Sequence, residues 1–170
     1  MEVSELKESG VEEQFLRFSL SSRTKGLISI SQMSEVLTIN LEQILPMPHM
    51  KPWVMGVYNW RGEILWMVDL GNLLGFPPLH EERSLRSSYK AIVLHLPLEG
   101  KKYDPTPDRT LGLVVSQIED IEWCNPASIE SPPPSVDPKL IPFLRGYYLK
   151  SDREALAVLE GEYILARMLN

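Results

Sequence analysis

The sequence has one cysteine, three histidines and no uncharged apolar run near the ~18–20 residues of a membrane span. A single thiol, Cys124, cannot form an internal disulfide, which excludes a stapled secreted scaffold. His49, His80 and His95 are scattered, and no pair has metal-site spacing that one cysteine could complete. There is no Gly-x-Ser-x-Gly elbow and no Gly-x-x-x-x-Gly-Lys loop, which removes serine hydrolysis and that mode of nucleotide binding. Cys124 is surrounded by Glu119, Asp120 and Glu122, the opposite of the electropositive setting a reactive thiol needs, so it reads as an inert, half-buried thiol. Bases are outnumbered, 17 against 23 acids, and a formal charge of −6 argues against a general nucleic-acid binder. The N-terminus lacks the basic-then-apolar pattern of a signal peptide, so a cytoplasmic protein without membrane insertion is expected.

What is present is enough for a core. A chain of 170 residues can bury roughly 70% of the surface its unfolded form exposes. Residues 1–13 hold Glu2, Glu5, Glu8, Glu12 and Glu13 against Lys7, five minus one, or −4 of the −6. That segment reads as a flexible acidic tail on a nearly neutral body.

Alternation marks Gln14–Leu20 and Leu27–Ile30 as paired strands around an Arg23–Gly26 turn. Met33–Thr38 fits a strand or one helical turn, and Pro46, Pro48 and Pro52 mark a connection. Glu63–Leu70 is apolar on both faces, which predicts a strand buried on both sides. Asp69 then caps a short helix stopped by Gly75 and Pro77. Tyr89–Leu96, Leu111–Ile118 and Ala155–Glu160 are further strands, separated by a polar loop at Lys101–Thr110 and the proline-rich Ser131–Ser135. A closing helix over Gly161–Leu169 would turn Ile164, Leu165, Met168 and Leu169 inward. Pro46-Met-Pro, Gly56-Val-Tyr, strand and helix are echoed by Ile141-Pro-Phe, Gly146-Tyr-Tyr, strand and helix. A repeat of that size implies two similar subdomains of short strands, most simply two small barrels.

Two features carry contact chemistry. In Asn59-Trp-Arg-Gly-Glu63 a glycine after Arg61 predicts a tight turn that fixes the guanidinium, with Glu35 as its partner carboxylate. That pair can be a strand clamp, a display for binding, or both. Met47, Met50, Trp53, Met55, Tyr58 and Trp60 crowd one connection; they either touch a partner or plug the end of a barrel.

Taken in order, Phe15-x-x-Phe18-x-Leu20, Glu35-Val-Leu37, Pro46-Met-Pro48, Gly56-Val-Tyr-Asn-Trp-Arg-Gly62, Met67-Val-Asp-Leu-Gly71, Leu74-Gly75, Ile92-Val-Leu94, Leu111-Gly-Leu-Val-Val115 and Gly146 resemble the CheW family of chemotaxis coupling proteins. The likeness runs from about Phe15 to Leu169, and its specific part is Gly56 to Gly75. It implies a mainly all-β fold of two five-stranded SH3-like β-barrels with short helices, divided as 14–85 and 86–170. It implies no catalysis and no cofactor. It implies instead an adaptor that joins the regulatory domain of a CheA-type histidine kinase to the cytoplasmic tip of a methyl-accepting receptor, recruited to membrane-associated arrays in two-component signal transduction. Carried over by motif, Met33, Glu35, Gly56 and Arg61 face the kinase, and Glu35–Arg61 is the ion pair. Met55, Tyr58 and Trp60 are candidates for an apolar partner contact, and Ile28, Val93 and Val115 for a receptor groove. The family's Asn-Leu-Arg-Gly is Asn59-Trp-Arg-Gly62 here, Trp66 replaces a usual proline, and Val115-Ser116 replaces Val-Asp. The Trp-bearing pattern resembles members from photosynthetic bacteria that serve type IV pilus motility and phototaxis. Rival expectations are a small-ligand β-barrel, which needs a roomy pocket, and an adaptor whose main partner is a response regulator.

Overall fold

The computed structural model describes residues 11–81, 88–97, 109–134, 136–151 and 154–169. The tail at 1–10 and most of the polar loop at 101–110 lie outside them. Among the described residues eleven strands form two antiparallel-rich sheets. In chain order they are β1 (Glu13–Ser19), β2 (Lys25–Ser29), β3 (Met33–Asn40), β4 (Val54–Trp60), β5 (Glu63–Asp69), β6 (Ser88–Leu96), β7 (Arg109–Val115), β8 (Ile118–Cys124), β9 (Ile129–Glu130), β10 (Leu144–Ser151) and β11 (Glu154–Leu159). Helix α1 (Leu70–Leu73) follows β5, and α2 (Gly161–Leu169) follows β11. The sheet orders are β3-β6-β7-β5-β4 and β8-β1-β2-β11-β10-β9.

The five strands of the first order match the first five of the second, with β5–β7 and β11–β2 as the parallel pairs and β9 as the sixth. Each unit closes in the same way. Beyond β3 a 3-10 turn at Leu41–Gln43 brings Leu45 to pair with Val57 on β4. Beyond β8 a 3-10 turn at Pro126–Ser128 brings β9 to pair with β10. Both closures need glycine. A Cβ on Gly56, at φ 140°, would fall on the Leu45 carbonyl oxygen, and one on Gly146 would meet the Glu130 carbonyl oxygen at 2.5 Å.

The chain divides into a continuous unit, Gln32–Gln117, and a split unit made of the residues up to Ser31 and from Ile118 onward. This corrects the expected division at 85/86. The sequence repeat is real, but each half gives its leading hairpin to the other half's strands. The connectors explain why. β7 runs parallel to β3, because both are antiparallel to β6. If β1–β2 stayed with β3–β5, β2 would take the place of β7, and its end would have to reach the start of a parallel strand. Such a crossover takes a dozen or more residues, whereas Ile30–Gln32 spans about 10 Å at full stretch.

The cores follow from alternation. In the continuous unit Ile39, Trp60, Leu65, Met67, Tyr89, Ala91, Val93 and Val114 pack inside the sheet; in the split unit Phe15, Leu27, Cys124, Leu156 and Val158 do so. Met33–Asn40 is a strand rather than a helical turn. Asp69 caps α1 through Asn72 N–H at 3.2 Å, and Gly75 takes φ 99°. Ile164 and Leu165 of α2 are buried and Met168 is half-buried. Three expectations are corrected. The 111–118 strand ends at Val115, and Ile118 opens the separate β8. β5 is buried on both faces only in its second half, since Ile64 is 73% exposed. Glu13 belongs to β1, where its carboxylate accepts from Ser29 Oγ at 2.5 Å.

Gly56→Ala is expected to cost about 3 kcal/mol or more, because the new Cβ meets backbone that cannot swing aside. Urea unfolding checks this; Gly62→Ala, where a Cβ meets nothing within 4 Å, serves as the reference and should lose about 1–2 kcal/mol through its φ of 82°.

Candidate functional site

The continuous unit has one end organised around Glu35. Unbroken alternation with the core-facing Leu37 and Ile39 sets that side chain on the inward face of β3, opposite Val93. Its carboxylate is used at both oxygens. Trp60 Nε1 donates to Oε1 at 2.7 Å, and Arg61 Nη2 donates to Oε2. β3 and β4 are the terminal strands of the sheet order, so these bonds join its two ends.

Arg61 and Gly62 form the two-residue turn between β4 and β5, with Trp60 paired to Glu63. Both have positive φ, 53° and 82°, as primed hairpin turns require. Asn59 Oδ1 accepts from Gly62 N–H at 2.9 Å and steadies the turn. A left-handed arginine costs about 1–2 kcal/mol; the bond to Glu35 and the stacking of its guanidinium 5.4 Å from the Trp60 ring offset that. The outcome is a cation held at a fixed place while its side chain stays 68% exposed. Met33 is half-buried on the same strand as Glu35, and Gly56 is buried, serving by its lack of a side chain.

Of the two alternatives for the apolar cluster, Trp60 takes the plug. Trp60 is 9% exposed and its indole N–H is satisfied by Glu35, so it plugs the barrel; Met55 and Tyr58 pack against the same core. Met47 and Met50 do stay exposed. Of the groove candidates, Val93 is fully buried within the continuous unit's core and lines no surface. Its neighbours Ile92 and Leu94 take the other face, since adjacent strand residues point to opposite sides. Ile28 and Val115 lie on the outer faces of their sheets, both buried.

The split unit carries at its corresponding end a network that sequence reading missed. Arg17 donates from Nε to Glu119 at 2.6 Å, from Nη1 to Glu122 at 3.2 Å and from Nη2 to Glu154. Lys25 pairs with Glu119, and Lys150 donates to Glu122 at 2.7 Å. Burial pushes the Glu119 carboxyl up, but bonds from Lys25 and Arg17 outweigh it and hold the group below its ordinary value. Burial pushes the Cys124 thiol up, helped by Glu122, Glu12 and Glu13, to about 11, so the thiol is inert as expected.

Among the described residues no cluster of His, Cys, Asp and Glu could hold a metal ion. A cleft of about 230 Å³ between Leu41, Pro52, Val54, Met55, Asp69, Leu79, His80 and Tyr89 is smaller than ordinary ligand pockets of roughly 300–1,000 Å³.

Two closed β units, each knotted by charge at one end, define a double-barrel protein whose polar endowment holds turns in place. Residues 14–168 match the family model described as CheW-like domain, and the chain belongs to that family. Among solved structures it is similar to the crystal structure of scaffolding protein TtCheW from Thermoanaerobacter tengcongensis, at 22% identity and a TM-score of 0.67, covering 88% of this chain and 90% of that one. That likeness shows the fold, mainly β with two SH3-like barrels. No curated protein sequence matches the chain at a significant level.

Acidification tests the Arg17 network. A carboxyl with a lowered folded pKa stabilises above its unfolded value, about 4.3, and that contribution is lost as pH falls through the folded value. Thermal melting from pH 7 to 3 should show a steeper loss for the wild type than for Glu119→Gln, most of it below about pH 4.5.

Proposed function

We propose that this protein is a non-catalytic coupling adaptor that joins a CheA-type histidine kinase regulatory domain to the cytoplasmic tip of a methyl-accepting receptor. The observation that carries the reading is the Glu35–Trp60–Arg61 knot, which displays a guanidinium at a strained turn in a chain of the CheW-like family. Strain of this kind is kept where a contact needs a fixed geometry. The kinase face comprises Met33, Glu35 and Arg61, with Gly56 acting through the backbone approach it permits. Glu35 uses both oxygens internally, so Arg61 is the group that meets the partner, and the partner supplies a carboxylate.

The work is positional: holding two proteins in one array shifts their populations without making a bond. No helix among the described residues is long and apolar enough to cross a membrane, and the reading places the protein in the cytoplasm at membrane-bound arrays. Trp60 and Trp66, the departures from the family pattern, support service in type IV pilus motility and phototaxis.

Arg61→Ala separates contact from structure. An exposed ion pair contributes about 0–1 kcal/mol, so Tm should fall by no more than about 2–4 °C. Titration against the isolated regulatory domain of a CheA-type kinase should show binding weakened by about tenfold or more. Undiminished binding with wild-type melting would remove Arg61 from the interface.

A further inference from the structure

We propose that the Met47-Pro-His-Met50 turn binds a soft monovalent metal ion, copper(I), through two thioethers and one imidazole. Met47 is 41% exposed and Met50 43%, and His49 is exposed between them. The other described methionines, Met33, Met55, Met67 and Met168, are half-buried or buried. The fold thus keeps two thioethers outside both cores, three positions apart on one loop of the continuous unit.

Backbone geometry groups the donors. Pro48 and His49 are the central residues of the turn. Proline presets the backbone at the first of these, and His49 takes φ 61° at the second, where glycine or asparagine usually stands. Such a turn brings its first and fourth Cα atoms within about 7 Å, so Met47 stands beside Met50 with His49 at the corner between them. Arg61 is the other non-glycine residue with positive φ among the described residues, and there Glu35 and the Trp60 ring offset the cost. Among the described residues no hydrogen bond or ion pair of the His49 imidazole does the same. Backbone strain that no internal contact offsets points to a geometry kept for a ligand. The loop is also pinned at both ends. Leu45 exchanges two backbone bonds with Val57, at 2.8 and 3.0 Å, and Val54 N–H donates to the Lys51 carbonyl at 3.0 Å. Donors on a pinned loop lose little freedom when they close on an ion.

Donor chemistry decides the ion. Thioether sulfur is a soft ligand that selects Cu(I), and imidazole nitrogen also suits copper. Calcium and magnesium demand oxygen ligands, which this donor set lacks. The set carries no negative charge, and Lys51 follows Met50 as an exposed base. A monovalent ion meets half the repulsion that a divalent one would meet there. Cys124, the remaining soft donor, is buried on β8 in the other unit. The site does not depend on the Arg61 contact.

The test titrates the full chain with Ag(I), a redox-inert stand-in for Cu(I), in chloride-free buffer, following methionine methyl and histidine ring NMR signals. The expected result is saturable binding that shifts the Met47 and Met50 methyls and the His49 ring and leaves Met33, Met55 and Met67 in place. Cu(I), kept reduced under nitrogen, should shift the same signals. Met47→Leu and Met50→Leu should each weaken binding by about tenfold or more with Tm unchanged, since both side chains are exposed. His49→Asn removes the imidazole but keeps a residue that accepts the left-handed turn, and should weaken binding by a similar factor. Cys124→Ala should bind as wild type. Binding that survives Met47→Leu/Met50→Leu, shifts centred on Cys124, no shifts with Cu(I), or Zn(II) binding as tight as Ag(I) would overturn the proposal.

Discussion

One carboxylate, Glu35, ties the two ends of a curled five-stranded sheet together. A sheet that curls leaves its terminal strands facing each other with unmade bonds, and each small barrel must resolve that problem. The continuous unit does so by backbone at Leu45–Val57 and by side chain at Glu35. The bond to Trp60 lets an indole enter the core without an orphaned N–H. The bond to Arg61 stabilises a turn that an arginine would otherwise avoid. The same carboxylate thus closes the sheet and holds the exposed Arg61 guanidinium in a fixed place. The split unit reaches the equivalent closure with Glu122 on β8 and Lys150 on β10, then adds Arg17.

Short connectors impose the second constraint. Three residues between β2 and β3, and Ser116–Gln117 between β7 and β8, are too few to cross back over a parallel neighbour. Each hairpin is therefore delivered to the other repeat's strands. Unit and repeat cease to coincide, and the continuous unit is assembled from an uninterrupted stretch while the split unit needs both ends of the chain.

Much of this was legible in the residues. Alternation located β1 and with it β2, apolar runs located β5, β6 and β11, the Asp69 cap and Gly75 stop bounded α1, and the glycine after Arg61 marked the turn whose cation meets Glu35. What escaped did so for physical reasons. β8 reads as polar because its inward Glu122 is compensated by Arg17, far away in sequence. Contact and barrel plug both stayed open for Trp60 because the acceptor of its N–H lies on another strand. Val93 was set on the wrong face because Ala91, Ile92, Val93 and Leu94 are all buried, so apolarity along β6 carries no facing information. The hairpin exchange leaves no mark on the repeat itself and shows only in connector length.

The central claim is that Glu35 and Trp60 act as one closure. A double-mutant cycle in urea, with Glu35→Ala, Trp60→Phe and the pair, measures it directly. A charged hydrogen bond at this site predicts a coupling of about 1.5–3 kcal/mol. Additivity within about 0.5 kcal/mol would contradict the claim and leave the barrel closed by backbone and packing alone.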